Sequence, residues 1–279
     1  MNVLIDGDVI CYAVGFASQT TEYDVDGHIF PKKADAIAFA AKYDLADPEP
    51  RITYEPLEYC LSSVKRMVKN IVEDSGADTY TLILSGKENF RTDVATIQPY
   101  KGNREGGHSA KPHYYGDIRA YMINVLNTHV TTGEEADDYM SYTSLETGDI
   151  IATIDKDLRN TAGKHYNWNK KVLDEVTPLE ANCNFWTQML TGDATDNIPG
   201  LFKLTGVKAS KAFKQEVEAC YTYDGMRTVV IHTYRRAFEK KMGDDAPSFD
   251  EQAAMLDEIG ALLWMRRKPN ELWSLDYED

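Results

Sequence analysis

Apolar positions along the chain change rhythm in a way that separates strands from helices. Residues 2–5 form a short apolar run that stops at Asp6-Gly7-Asp8, and residues 9–17 follow with helical spacing. That order predicts strand, loop, helix, with two carboxylates where the strand ends. Residues 21–25, an Asp26-Gly27 turn and residues 28–30 predict a hairpin, and the Ala-rich stretch 33–42 predicts a helix. Together these make residues 20–55 look like an insertion. Pro56 opens a long amphipathic helix with Leu57, Leu61, Val64, Val68 and Val72 along one stripe, closed by Gly76. Residues 80–84 and 149–154 read as buried strands and 135–145 as a helix. Strands alternating with helices predict a parallel α/β sheet, whose sites lie at strand carboxyl ends. After Pro178 the pattern is helical: 179–190, 207–218, 226–240 and 249–263. A soft domain boundary is therefore expected near residue 178, giving 1–178 and 179–279. No internal repeat is apparent.

Composition narrows the class. The chain has 279 residues, 43% hydrophobic and 27% charged, which is the profile of a globular protein and not of a disordered or collagen-like one. No apolar run approaches a membrane span, and the first residues lack the basic start of a secretory signal, so a cytoplasmic protein is expected. Cys11, Cys60, Cys183 and Cys220 stand far apart and predict neither a zinc site nor a disulfide framework. A net charge of −15 argues at first against a polyanionic partner. Acids that converge on bound cations invert the local sign, however, so their placement matters more than their sum.

Paired acids stand at element ends in four places: Asp6 and Asp8; Glu135, Asp137 and Asp138; Asp155 and Asp157; Asp193 and Asp196. Any one pair has a plain reading as a helix cap or a macrodipole partner. Four pairs gathered at one sheet edge would repel unless protons or cations intervene. Hard oxygen donors suit Mg²⁺ or Mn²⁺, and two such ions about 3.5–4 Å apart are apparatus for phosphodiester hydrolysis. Glu135 and Asp138 share a helix face at three-residue spacing, while Asp137 joins them only if Glu135 lies in an irregular first turn. The segment from Lys101 to Arg119 is locally basic, with Lys101, Arg104, Lys111 and Arg119 against Glu105 and Asp117. Tyr114, Tyr115 and Tyr121 interleave with it, a combination suited to gripping single strands. Gly106 and Gly107 suggest that this segment is mobile and orders on substrate. Around Leu204-Thr-Gly206 a loop is expected to open a helix whose amides take a phosphate, with Lys208 and Lys211 on the following turn.

In order, LIDGDVICYA, PYKGNRE, GEEADDYMS, ATIDKDL and MLTGDATDNIPG with TGVKASKAF resemble the 5′ nuclease family. These are the flap endonucleases and 5′-to-3′ exonucleases related to the polymerase I nuclease domain, with phage exonucleases most alike. The resemblance implies a PIN-like sheet domain, a helical arch over residues 100–127 and a helix-three-turn-helix element gripping duplex DNA. It implies a first metal cluster of Asp6, Glu135, Asp137 and Asp138 and a second of Asp155, Asp157, Asp193 and Asp196, holding two Mg²⁺, with Mn²⁺ as a substitute. It also implies contacts of Tyr100, Lys101 and Arg104 near the scissile phosphate. Lys101, Arg104 and Asp155 are thus the catalytic candidates, and Tyr100, Lys101, Arg104, Lys111, Arg119, Gly206, Lys208 and Lys211 the DNA-binding ones. DNA with free 5′ ends or flaps is the implied partner, RNA–DNA hybrids a further one, and a monovalent cation at the Gly206 loop a further ligand.

The chain departs from the family at two points. Ser85-Gly86 stands where an acid usually ends the strand, with Asp8 as the candidate to supply the charge, and Lys203-Leu-Thr-Gly206 lacks the first of two close glycines. Two other readings remain open. Asp6-Gly-Asp8 and Gly192-Asp-Ala-Thr-Asp196 resemble motifs of haloacid-dehalogenase phosphatases, whose metal acids should follow a strand. A catalytically silent DNA-structure binder would explain Gly86 alone.

Overall fold

A computed structural model of the chain describes residues 1–104 and 111–277. Gly106 and Gly107, read above as part of a mobile stretch, lie outside the described residues. The chain gathers into two compact units, one of Met1–Asp8, Ile71–Ala110 and Asn127–Asp279, the other of Val9–Asn70 and Lys111–Leu126.

The larger unit is built on strands β1 (Asn2–Asp6), β5 (Thr79–Leu84), β6 (Thr128–Val130), β7 (Ile150–Ala152), β8 (Gly163–Asn167) and β9 (Val172–Val176). They form one sheet in the order β6-β5-β1-β7-β8-β9, parallel throughout except for the antiparallel β8–β9 pair. Such a mixed α/β sheet reads from sequence because its middle strands are buried on both faces: Val3, Ile5, Leu82, Ile83, Leu84, Ile150, Ile151 and Ala152 have no exposed surface. Chain order runs outward from β1 to β5 and β6, then reverses to β7 and β8 on its other side. That reversal puts a topological switch point between β1 and β7, where open α/β sheets form clefts.

Helices α4 (Phe90–Val94), α6 (Ala136–Thr147), α7 (Pro178–Thr191), α8 (Leu201–Thr205), α9 (Lys211–Glu218), α10 (Tyr223–Met242) and α11 (Phe249–Leu263) complete this unit. The helical region after Pro178 does not separate at the expected boundary. Its core of Phe185, Trp186, Met189, Tyr234, Ile259, Trp264 and Trp273 also packs Val94, Ala95, Ile97 and Tyr100, so apolar contact carries it into the sheet unit. The helix expected over 207–218 begins only at Lys211, because the Ser210 side chain accepts from Phe213 N and caps it there. Gly206 instead ends α8 in a left-handed turn, leaving Lys208 in the connecting loop.

The smaller unit holds the insertion: β2 (Gln19–Val25), β3 (His28–Phe30), α2 (Lys33–Tyr43) and β4 (Glu49–Tyr54), with α5 (Tyr115–Val125). The predicted hairpin is present, and Val25, Ala36 and Ala40 form its small core. Helices α1 (Gly7–Ala17) and α3 (Leu57–Ser75) contribute residues to both units. No helix among the described residues is long and apolar enough to cross a membrane.

Candidate metal and phosphate site

Two strand ends and two helix ends bring the acidic side chains together. Asp6 is the last residue of β1; it is buried, and its Oδ2 accepts from Thr153 Oγ, which follows β7, at 2.8 Å. The same hydroxyl accepts from Asp155 N at 3.0 Å, so Thr153 ties the two strand ends to each other. Asp155 Oδ1 in turn accepts from Asp157 N at 2.9 Å, a tight turn that keeps both carboxylates at the sheet edge.

Glu135 is the extended N-cap of α6, and Asp137 stands in its first helical turn, within reach of the Asp6 and Asp155 charges. Burial, together with the charges of Asp6, Asp155 and Glu135, pushes the Asp137 carboxyl well above the usual carboxylate range. A second acidic knot joins Asp157 and Asp193. Burial, the Asp155 charge and a hydrogen bond with Asp193 push Asp157 up to about 7, while Asp193 is held low. Asp193 Oδ1 also accepts from Thr195 N at 2.7 Å and Asp196 N at 3.3 Å. This loop is pinched shut by glycine: a Cβ at Gly192, whose φ is +65°, or at Gly200 would come within 2.4 Å of backbone atoms.

Cationic and phenolic groups close the other side. Lys101 Nζ is paired with Glu135 and lies 3.7 Å from Asp196 Oδ2. Arg104 Nη2 donates to Asp196 Oδ1 at 2.5 Å. Tyr100 OH bridges Glu135 at 3.0 Å and Asp196 at 2.8 Å. Burial alone would raise Glu135, but Lys101, Arg91 and Tyr100 hold it below the ordinary value; at Asp196 burial prevails over Lys101 and Tyr100 and raises it. Lys101 adopts a left-handed φ of 56° so that its N donates to Asp196 O at 2.9 Å. Strain of this kind costs about 1–2 kcal/mol and persists where surrounding contacts fix it.

Asp138 has a different use from the one expected. It is wholly buried and faces Arg91, itself 1% exposed, which donates through Nη1 at 2.5 Å and Nη2 at 2.9 Å. Arg266 N and Glu135 N add two more donors at 3.3 Å. With four donors its oxygens are saturated, and the three-residue spacing to Glu135 serves a capping box. Asp8 likewise caps backbone, accepting from Ser85 N at 2.8 Å. Gly86 donates to Thr131 Oγ1 at 3.2 Å, and a Cβ there would stand 2.1 Å from Thr131 O, so no carboxylate fits this strand end without displacing the neighbouring loop.

The remaining candidates are spread more widely. Gly206, Lys208 and Lys211 belong to the same unit as the cluster, at the α8–α9 connection. Lys111 and Arg119 belong to the smaller unit, where both cationic groups lie over the Tyr115 ring, at 4.6 and 5.9 Å. Sequence reasoning missed Thr153, Arg91, Asn160 and Gln188. Each is a neutral or lone basic residue with no motif spacing; the fold sets Thr153, Arg91 and Gln188 beside acids and Asn160 beside Gln188.

The donor set fits hard divalent cations in its chemistry. Asp6, Glu135, Asp137, Asp155, Asp157, Asp193 and Asp196 offer carboxylate oxygens alone, and burial with their mutual repulsion raises Asp137 and Asp157. Among the described residues no three of them stand at ligand spacing around one point, and Glu135 and Asp196 are paired with Lys101, Tyr100 and Arg104.

No protein-family model matches the chain, and no curated protein does. Solved structures of similar course include the T5 D15 protein co-crystallized with metal ions, at 15% identity and a TM-score of 0.46 over 93% of this chain and 99% of that one. Another is the bacteriophage T5 D15 flap endonuclease (D155K) pseudo-enzyme-product complex with DNA and metal ions, at 14% identity and a TM-score of 0.48, with the same coverage. A third is T5 5′-exonuclease with bound zinc, at 15% and 0.49, over 94% of this chain and 98% of that one.

Proposed function

We propose that this chain is a divalent-metal-dependent 5′ nuclease, a 5′-to-3′ exonuclease with structure-specific flap endonuclease activity that leaves 5′-phosphate products. The observation that carries this reading is the meeting of seven carboxylates with Lys101, Arg104 and Tyr100 at one sheet edge. Two bound Mg²⁺ ions would offset the carboxylate charge and supply activation of water for in-line attack at phosphorus. Glu135 and Asp137 with Asp6 would hold one ion, Asp157, Asp193 and Asp196 the other, and Asp155 lies between the two groups. The Lys101 ammonium and Arg104 guanidinium would donate to the scissile phosphate and stabilise charge that develops on it. Tyr100 orients Glu135 and Asp196 through its hydroxyl.

Duplex DNA would be held by Gly206, Lys208 and Lys211, and the unpaired strand by Lys111 and Arg119, all through sequence-independent contacts. Selection would thus follow DNA structure, with RNA–DNA hybrids as a further substrate and replication or DNA degradation as the setting. The phosphatase alternative loses support because Asp193 follows helix α7, where that chemistry needs a strand.

Incubation with Mg²⁺ and labelled 5′-recessed and 5′-flap duplexes tests the reading. Mononucleotides released from the 5′ end, together with flap-length products abolished by EDTA, are expected. Structure-specific binding without any cleavage would sink it and leave a silent binder.

A further inference from the structure

We infer that Gln188 is a positioning residue for Asp157, and that Asn160 fixes the direction in which Gln188 acts; this rests on the cation-binding reading above. Gln188 lies in the last turn of α7, one turn before the Gly192 loop that carries Asp193. Its Nε2 donates to Asp157 Oδ1 at 3.0 Å. Its Oε1 accepts from Asn160 Nδ2 at 2.7 Å, and Asn160 is itself 4% exposed. An amide can present either end to a neighbour, but with its oxygen already receiving the Asn160 proton only the NH₂ end can face Asp157.

That polarity sets an N–H donor on the Asp157 carboxyl through Oδ1 and so fixes its orientation within the acidic cluster. Asn160 and Asp157 are the two ends of a single 3₁₀ turn, Asp157–Asn160, so one glutamine clamps both ends of it. Outer hydrogen bonds of this kind fix ligand orientation and typically govern metal affinity by about 10- to 100-fold. Gln188 therefore sets the affinity of the ion assigned to Asp155, Asp157, Asp193 and Asp196, while the ion assigned to Asp6, Glu135 and Asp137 is indifferent to it.

Titration of the substrate-free protein with Mn²⁺ by calorimetry, with a thermal midpoint for each variant, separates the possibilities. Wild type is expected to bind two ions. Gln188→Leu is expected to keep one of them unchanged and to weaken the other by about tenfold or more, and Asn160→Ala to weaken the same ion by a smaller factor. A purely structural role would lower the thermal midpoint and leave the ratio of the two affinities as in wild type, which overturns the inference. Should Gln188→Leu not fold, the ratio in Asn160→Ala decides in the same way. A wild-type protein that binds no Mn²⁺ overturns the cation-binding reading itself, an outcome distinct from two ions bound alike by wild type and Gln188→Leu.

Discussion

Asp155→Asn is expected to reduce cleavage by a factor on the order of 10³ or more at saturating Mg²⁺, with duplex and flap binding in Ca²⁺ preserved. Asp155 is the carboxylate common to the two acidic groups, since its charge acts on Asp137 on one side and on Asp157 on the other. An amide at this position keeps the volume and the acceptor for Asp157 N but removes the negative charge and one of the two oxygens that the proposed ions would share. Loss of one oxyanion donor costs about 10²–10³ in rate, and loss of a group that holds the activating cation should exceed it. In the proposed reading DNA affinity comes from basic groups elsewhere, so it should persist. Single-turnover rates, with fluorescence anisotropy for binding, check both halves; a variant within tenfold of wild type would mean that the cluster is not where hydrolysis occurs.

Arg91→Met is expected to destabilise the protein by about 3–5 kcal/mol, the usual result of stripping one partner from a buried ion pair. The guanidinium does more than neutralise Asp138. Its Nε donates to Leu262 O at 2.9 Å and its Nη2 to Trp264 O at 2.8 Å, so the end of α11 is pinned to the helix that carries Glu135 and Asp137. Arg266 extends the same seam: its guanidinium stacks on Phe90 at 3.7 Å and pairs with Glu134 at 2.9 Å. Removing Arg91 leaves a fully buried carboxylate with only the Arg266 and Glu135 amides as donors, and strips the Leu262 and Trp264 carbonyls of the guanidinium. Asp138→Asn in the same background should recover part of the loss, because it removes the uncompensated charge but not the orphaned carbonyls. Urea unfolding of the wild type, the single variant and the pair measures this. A loss below about 1 kcal/mol for Arg91→Met would show that the seam does not support the fold.

What could be read from the sequence follows from where each signal originates. Helix α11 runs over the predicted 249–263 because both of its determinants are local, apolar spacing and the Ser248–Glu251 capping box. The acids at the ends of β1 and β7 were legible because a carboxylate that terminates an apolar run is conspicuous. Strand β4 was not, since all six of its residues are exposed and it contains Pro50, features of an edge strand that carry no alternation. The β8–β9 hairpin escaped for a related reason, with β9 exposed along four of its five residues. Spacing and the family resemblance both set Asp138 beside Glu135 as a ligand, whereas the partner that saturates it, Arg91, lies 47 residues earlier in the chain. Gln188 carries no signal of its own, because a glutamine in an amphipathic helix is ordinary until the fold sets Asp157 beside it.

Manganese-soaked crystals, with the metal located by anomalous scattering, test the central claim most directly. Two peaks are expected, one among Asp6, Glu135, Asp137 and Asp155 and one among Asp155, Asp157, Asp193 and Asp196, with the Lys101 ammonium displaced from Glu135. Well-ordered crystals that show no anomalous density at this sheet edge at millimolar Mn²⁺, with Lys101 still seated on Glu135, would contradict the assignment of the cluster as a divalent-cation site.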